Sequence, residues 1–136
     1  MNRSIMRENC MIILYQIDMF EKNNIEYNKD EIVGNYFTHT NNFIDGILNG
    51  VLENKDSLNE VANKYMVDWT IDRIDKPGSE ILRIALYELI YSDTPHVVAI
   101  NEAVELAKKY SDDSVKNIIN ATLDSYVKDK VNIGKE

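Results

Sequence analysis

Few side chains in this sequence are placed to do covalent or metal chemistry. The two histidines, His39 and His96, fall in separate predicted loops, and neither has a cysteine or a second histidine at metal-ligand spacing. Cys10 lies among apolar residues at helical spacing, which predicts a buried small hydrophobe rather than a nucleophile. No glycine-rich phosphate-binding loop is present. The sequence therefore predicts no metal site and no cofactor, and an enzyme is the weaker class.

Charge is the second property that bears on function. The formal net charge of −8 argues against a protein that coats nucleic acid by bulk electrostatics, although it leaves room for a local basic patch. Arg3 and Arg7 are four residues apart, so a helix would place both guanidinium groups on one face. That pair is the clearest local concentration of positive charge near the amino terminus.

Length and composition limit the class of protein. At 136 residues, with 44% hydrophobic and 28% charged residues, the chain has the composition of one soluble globular domain. A single cysteine excludes a disulfide within the chain and fits a reducing, cytosolic setting. The most apolar run, residues 11–20, is too short to span a bilayer and lacks a signal-peptide cleavage site.

Apolar residues recur at helical spacing nearly throughout, and no segment alternates as a strand does. The clearest element is a helical hairpin over residues 81–111, joined by a Ser-Asp-Thr-Pro turn. Asp30 is predicted to cap a short helix, and Ser57 with Glu60 has the spacing of a capping box. Other helices are predicted over residues 3–22, from residue 43 to about residue 54, and from residue 111 or 112 onward. The prediction is an all-α fold of about six or seven helices.

The segment Lys76-Pro77-Gly78-Ser79 breaks the helical pattern, and Pro77 or Ser79 is predicted to start the hairpin. The break suggests that the single domain of residues 1–136 contains an N-terminal subdomain, 1–76, and a C-terminal subdomain, 77–130. Each would be a small three-helix unit, and the two would share one core.

Two stretches of the hairpin, ILRIALYELIY and TPHVVAINEAVELAKKYS, resemble the signature of the NusB family of bacterial transcription antitermination factors. Further similarities follow in the family's order: Arg7-Glu8, Leu14-Tyr15, the W-x-x-x-R element of Trp69 and Arg73, Asn120, and Leu123-Asp124. The resemblance extends over nearly the whole chain. It implies two packed three-helix bundles, which agrees with the helix count predicted from periodicity.

The resemblance also implies a non-enzymatic, cytoplasmic RNA-binding function. Members of the family bind the boxA element of nascent ribosomal RNA leader transcripts together with NusE, a small-subunit ribosomal protein, and the complex acts on RNA polymerase. BoxA is single-stranded, so its bases are available for stacking and edge contacts. A protein of charge −8 releases few counterions, so its affinity for RNA without the partner should be modest. Both monomers and homodimers occur in the family, and the sequence does not choose between them.

By the same resemblance, nine residues are expected to contact RNA: Arg3, Arg7, Tyr15, Tyr65, Arg73, Asp113, Ser114, Lys116 and Asn117. Each has a structural alternative. The two N-terminal arginines could be solvated, the two tyrosines could be core aromatics with hydroxyls that reach water, and Arg73 could pair with a carboxylate. Asp113 could accept from a base edge or cap the last helix.

Lys116 is the natural phosphate ligand of this set, whereas the amide of Asn117 can hydrogen-bond a base but stacks poorly. Ser4 and Ile5 stand where several relatives have further arginines, which weakens the expected electrostatic contact.

Two other functions compete with RNA binding as interpretations of the sequence. The same helical domain occurs at the N-terminus of a ribosomal RNA cytosine methyltransferase, but no methyl-donor-binding domain or catalytic cysteine motif follows in these 136 residues. The other rival is a helical protein-interaction module whose RNA-binding face has weakened. Salt dependence separates RNA binding from that rival, because only RNA contact predicts tighter binding at low salt.

Overall fold

The computed structural model describes the backbone of residues 1–134 and the side chains of residues 1–131, and within that range it contains helices and no strand. The helices are α1 (Arg3–Lys22), α2 (Lys29–Gly34), α3 (Asn42–Glu53), α4 (Lys55–Tyr65), α5 (Lys76–Tyr91), α6 (His96–Tyr110) and α7 (Asp113–Gly134). The all-α prediction of six or seven helices is confirmed. None of these helices is long and apolar enough to cross a membrane.

Asparagine side chains cap the amino-terminal ends of the first three helices. The side-chain oxygens of Asn2, Asn28 and Asn41 each accept a hydrogen bond from a backbone N–H three residues later, at 2.8–3.0 Å. This contact satisfies one of the backbone donors that a helix leaves unpaired in its first turn. The prediction that Asp30 caps α2 is therefore wrong, because Asn28 does so and Asp30 lies inside the helix.

Two other predicted helix starts also need correction. The capping box of Ser57 and Glu60 does not form, because α4 has already begun at Lys55 and the Ser57 hydroxyl donates to the carbonyl of Asn54. Helix α5 begins at Lys76, ahead of the predicted Pro77 or Ser79. Its cap is Asp75, whose carboxylate accepts from the Gly78 N–H at 2.7 Å.

Helix α5 is the centre of the fold. It packs against α1, α3, α4, α6 and α7, and most of its residues from Gly78 to Glu88 are buried. A helix enclosed by neighbours on all sides loses the single apolar stripe of a surface helix. One continuous hydrophobic core therefore includes residues from all seven helices. Helix α5 contacts elements on both sides of the predicted boundary at residue 76.

Helices α3 and α5 approach closely at Gly50. A Cβ atom added there would lie 2.0 Å from Cε1 and 2.5 Å from Cδ1 of Tyr87. The Tyr87 ring therefore occupies the space that any larger residue at position 50 would need. Glycine costs a helix interior about 1 kcal/mol relative to alanine, so close packing is the compensating gain at this position.

Cys10 lies in this core with no exposed surface. Burial raises the pKa of its thiol to about 12, so the thiol stays protonated at neutral pH and behaves as a small hydrophobe.

An ion pair between Asp18 of α1 and Lys55 of α4 joins two helices of the N-terminal half. The Lys55 ammonium lies 2.5 Å from Asp18 Oδ1, and Lys22 approaches Oδ2 at 3.9 Å. Burial alone would raise the pKa of Asp18, but the hydrogen bond from Lys55 and the charges of Lys55 and Lys22 outweigh it and lower the pKa.

We expect the Lys55→Ala variant to lose stability at neutral pH and much less in acid. A lowered Asp18 pKa contributes stability above the unfolded value of about 3.9, and this contribution disappears as pH falls through the folded pKa. Because the Lys55 side chain is 35% exposed and screened by solvent, the loss at pH 7 should be about 1 kcal/mol. Urea unfolding at pH 7 and pH 3 measures it.

Lys128→Ala is the matched control for this prediction, since Lys128 forms an exposed pair with Asp124 and should show little change at either pH. A Lys55→Ala deficit of equal size at both pH values would contradict the assignment to the ionised Asp18 carboxylate.

Candidate functional site

The two N-terminal arginines do share a face of α1, as their spacing predicts. Both guanidinium groups lie over the ring of Phe43 from α3, with Arg3 Cζ at 4.4 Å and Arg7 Cζ at 5.0 Å from the ring centroid. Such cation–π contacts orient the arginine planes. Arg3 is exposed, whereas Arg7 is only 3% exposed.

Arg7 is neither solvated nor free, because it forms a buried ion pair with Glu88 of α5. Its Nε and Nη2 atoms donate to the two Glu88 carboxylate oxygens, each at 2.8 Å, and Nη1 lies 3.9 Å from Glu102 of α6. The Thr94 hydroxyl donates to the same Glu88 carboxylate at 3.0 Å. Burial would lower the pKa of Arg7, but the bond and charge of Glu88 raise it. Arg3 is the arginine of this pair that remains available to a ligand.

The start of α7 carries the second group of predicted RNA contacts. The Asp112 carboxylate accepts from the Val115 N–H at 2.9 Å, so Asp112 is the cap of the two predicted candidates, Ser111 and Asp112, and the capping alternative for Asp113 is wrong. Asp113 is 92% exposed at its side chain and lies 3.6 Å from the Lys116 ammonium. The remaining two predicted residues of this turn, Ser114 and Asn117, are also exposed.

Contacts between α5 and the α6–α7 turn position this group. The Ser111 hydroxyl donates to Asp75 Oδ1 at 2.9 Å, and a Cβ at Gly78 would lie 2.7 Å from Val115. The amino-terminal ends of α5 and α7 are therefore neighbours. Gly78 and Glu88 are ten residues apart on α5, so about 15 Å of helix separates this group from the Arg7 ion pair. The structure therefore places six of the nine predicted residues in two separate groups.

The two tyrosines expected to contact RNA lie outside both groups. The Tyr65 hydroxyl at the end of α4 donates to Asp129 of α7, and this bond raises the pKa of Tyr65 to about 12. The Tyr65 ring also meets Tyr126 edge to face, with centroids 5.5 Å apart. Tyr65 thus joins α4 to α7, and its hydroxyl reaches a carboxylate. Tyr15 is half-buried in the middle of α1.

Arg73 lies in the segment that connects α4 to α5. Its guanidinium carbon is 5.2 Å from the ring centroid of Trp69, and the side chains of residues 1–131 place no carboxylate oxygen within 4 Å of it. The alternative that Arg73 pairs with a neighbouring carboxylate is wrong for these described side chains.

Three lysines near the amino-terminal end of α5 form a cluster that the sequence does not predict. Lys22, Lys55 and Lys76 come from α1, α4 and α5, and the first two share the Asp18 carboxylate. The neighbouring Lys22 ammonium lowers the pKa of Lys76, and burial contributes a smaller lowering. No spacing in the sequence reveals this cluster, because tertiary packing alone brings its members together.

These elements define an all-α domain in which the residues predicted to contact RNA lie in separate places. Its described side chains include no cluster of three or more histidine, cysteine or acidic residues arranged to hold a metal. The most reactive side-chain type, the single cysteine, is buried.

Comparison with known proteins identifies the family. The NusB family model matches residues 4–128. A transcription antitermination protein NusB from Clostridium botulinum is 39% identical over 133 residues, covering 94% of this chain and 99% of the relative. The corresponding protein from Bacillus subtilis is 37% identical, with 95% and 97% covered. This chain belongs to the NusB family, and the relatives that it matches along nearly their whole length are transcription antitermination proteins, not enzymes.

Solved structures show the same fold. NusB from T. maritima superposes with a TM-score of 0.77 at 25% identity, covering 91% of this chain and 89% of that protein. A NusB chain from a complex of the antitermination factors NusB and NusE with dsRNA gives 0.74 at 20% identity, with 90% and 93% covered. The NusB-like fold predicted from the sequence is confirmed.

Proposed function

We propose that this protein acts in the cytoplasm as a transcription antitermination factor that binds boxA RNA of nascent ribosomal transcripts together with NusE. The resulting complex acts on RNA polymerase. The observation that carries the proposal is the family relationship, which covers residues 4–128 and includes relatives at 37–39% identity named as antitermination proteins. A solved complex that holds NusB, NusE and dsRNA supports the pairing of these partners.

Two groups of residues carry the proposed RNA contacts. The first is Arg3, whose exposed guanidinium rests on Phe43 at one end of α5. The second lies at the other end of α5, beside the start of α7, and consists of the partly buried Lys116 and four exposed residues: Arg73, Asp113, Ser114 and Asn117. Charged donors suit phosphates, and the amide and hydroxyl groups suit base edges.

The net charge of −8 explains why a partner is needed. The Lys116 ammonium lies 3.6 Å from Asp113, and Asp112 caps the same turn, so this turn offers a phosphate little net positive charge. Few counterions are then released on binding, and affinity without a partner should be low. A basic ribosomal protein supplies the missing charge and additional contact surface.

Fluorescence anisotropy of a labelled boxA RNA tests the function. The RNA and a scrambled control are titrated with this protein alone and then with equimolar NusE. Tightening by NusE that is confined to boxA supports the proposal. Binding of NusE with no preference between the two RNAs would instead favour the helical protein-interaction module.

Within that assay, we expect Lys116→Ala to weaken boxA binding and to flatten its salt dependence. Removing one phosphate contact from a single strand should reduce the slope of log K against log salt by about 0.7. The affinity loss should therefore be largest at low salt. Titrations at several salt concentrations, from about 50 to about 200 mM, provide the measurement.

Lys128→Ala removes the same charge from the distal part of α7, where Lys128 pairs with Asp124. Its salt slope should match that of the unmodified protein. Equal slopes for Lys116→Ala and the unmodified protein would remove Lys116 from the RNA-contact set.

A further inference from the structure

The segment between α4 and α5 exposes an unusual amount of apolar surface. Val67 is 77% exposed, and Trp69, the only tryptophan of the chain, is 38% exposed. Asp68 between them has a φ of 64°, in the left-handed region that L-residues rarely adopt. The backbone therefore turns sharply and holds Trp69 at the surface.

This segment is anchored firmly by the residues that follow Val67 and Trp69. The Ile71 N–H donates to Asn63 Oδ1 at 2.8 Å, and the Ile71 carbonyl accepts from the Ser79 hydroxyl at 2.7 Å. The side chains of Ile71 and Ile74 are buried in the core. A surface aromatic on a fixed backbone loses little conformational freedom when a ligand binds, which favours recognition.

Arg73 completes the arrangement. Its guanidinium lies over the Trp69 ring, and the nearest acidic residue in sequence, Asp72, accepts a hydrogen bond from Thr70. Arginine and tryptophan together offer a flat aromatic surface and a planar cation. An unpaired nucleobase can stack its π-face on the tryptophan ring, and the phosphate of the same nucleotide can pair with the arginine.

We propose that Trp69 and Arg73 form a stacking site for one unpaired RNA base, with Arg73 also contacting the adjoining phosphate. The segment leads directly into Asp75, which is bonded to Ser111 beside the start of α7. The stacking site thus continues the second group of RNA contacts. This inference rests on the proposed function, because it assigns a base contact within the same RNA-binding surface.

Intrinsic fluorescence tests the site directly, because all tryptophan emission of this protein comes from Trp69. Unlabelled single-stranded boxA RNA should quench this emission in the presence of NusE, since a stacked base contacts the indole ring. The same RNA annealed to its complement has no unpaired base and should quench far less. This protein mixed with NusE but without RNA is the required reference.

Affinity of the variants provides the second measurement. Trp69→Ala should weaken boxA binding about 10-fold or more, as stacking residues do in single-strand binding proteins, and leave the salt slope unchanged. Arg73→Gln should weaken binding and reduce the slope. Val67→Ala removes a more exposed neighbour from the same segment and should bind like the unmodified protein. Circular dichroism confirms that each variant is folded.

The outcomes separate this inference from the proposed function. If boxA binds with NusE but neither quenches Trp69 nor distinguishes Trp69→Ala, the stacking site is wrong and the function stands. If NusE alone produces the full quenching, the segment is a protein contact, and the inference is likewise wrong. If boxA shows no preference over the scrambled RNA in any mixture, the function itself fails.

Discussion

Arg7→Ala is expected to lower the free energy of unfolding by about 3–5 kcal/mol, the usual cost of removing one partner from a buried ion pair. The reason is the Glu88 carboxylate, which would remain buried with the Thr94 hydroxyl but without its cation. The contact also joins α1 to α5 across 81 residues of sequence, so its loss loosens the amino-terminal helix. Urea unfolding followed by circular dichroism measures the change.

A double variant distinguishes this structural role from a direct RNA contact. Arg7→Met with Glu88→Leu replaces both charges by apolar groups of similar volume, and such exchanges are often neutral or stabilising. We expect the double variant to be more stable than Arg7→Ala and to bind boxA with NusE as the unmodified protein does. If its stability returns while RNA binding is lost, Arg7 contacts RNA itself.

The second large effect is expected for Gly50→Ala. The added methyl group would overlap the Tyr87 ring, which is 2.0 Å from the position of the new Cβ. Because both residues lie on packed helices, either the Tyr87 ring must leave its present position or α3 must move away from α5. Overpacking of this kind typically costs about 1–3 kcal/mol and here should reach or exceed the upper value. Thermal and urea unfolding both report it.

Two further variants control for helix propensity. Gly34→Ala adds the same methyl group where no atom lies within 4 Å, so it should be neutral or slightly stabilising. Tyr87→Ala removes the ring, and adding Gly50→Ala to that background should cost little. If Gly50→Ala is equally destabilising with and without the Tyr87 ring, the steric explanation is wrong.

The sequence predicts the helices well because their apolar spacing is a local property. This spacing predicts a helix over residues 3–22 and a helical hairpin over residues 81–111, and α1, α5 and α6 confirm both. The starts of the helices are harder to predict than the helices themselves, since several polar residues near each break can serve as caps. Asn28 and Asp75 were selected over their neighbours by backbone geometry that periodicity does not describe.

The candidate site was less accessible to prediction. The spacing of Arg3 and Arg7 correctly placed both side chains on one face, but Glu88, which removes Arg7 from solvent, is distant in sequence. The lysines of α1, α4 and α5 meet only through tertiary packing. Trp69 belongs to a family element in the sequence, yet its exposure depends on the left-handed backbone of Asp68, which the sequence does not predict.

The central position of α5 has a consequence for synthesis of the chain. The apolar stripe of α1 ends near Lys22, but its partner α5 extends from Lys76 to Tyr91 and is translated much later. At roughly 5–20 residues per second, the stripe stays without that partner for several seconds. The amino-terminal half therefore completes its fold only after α5 has left the ribosome, and until then α1 is a natural binding segment for a chaperone.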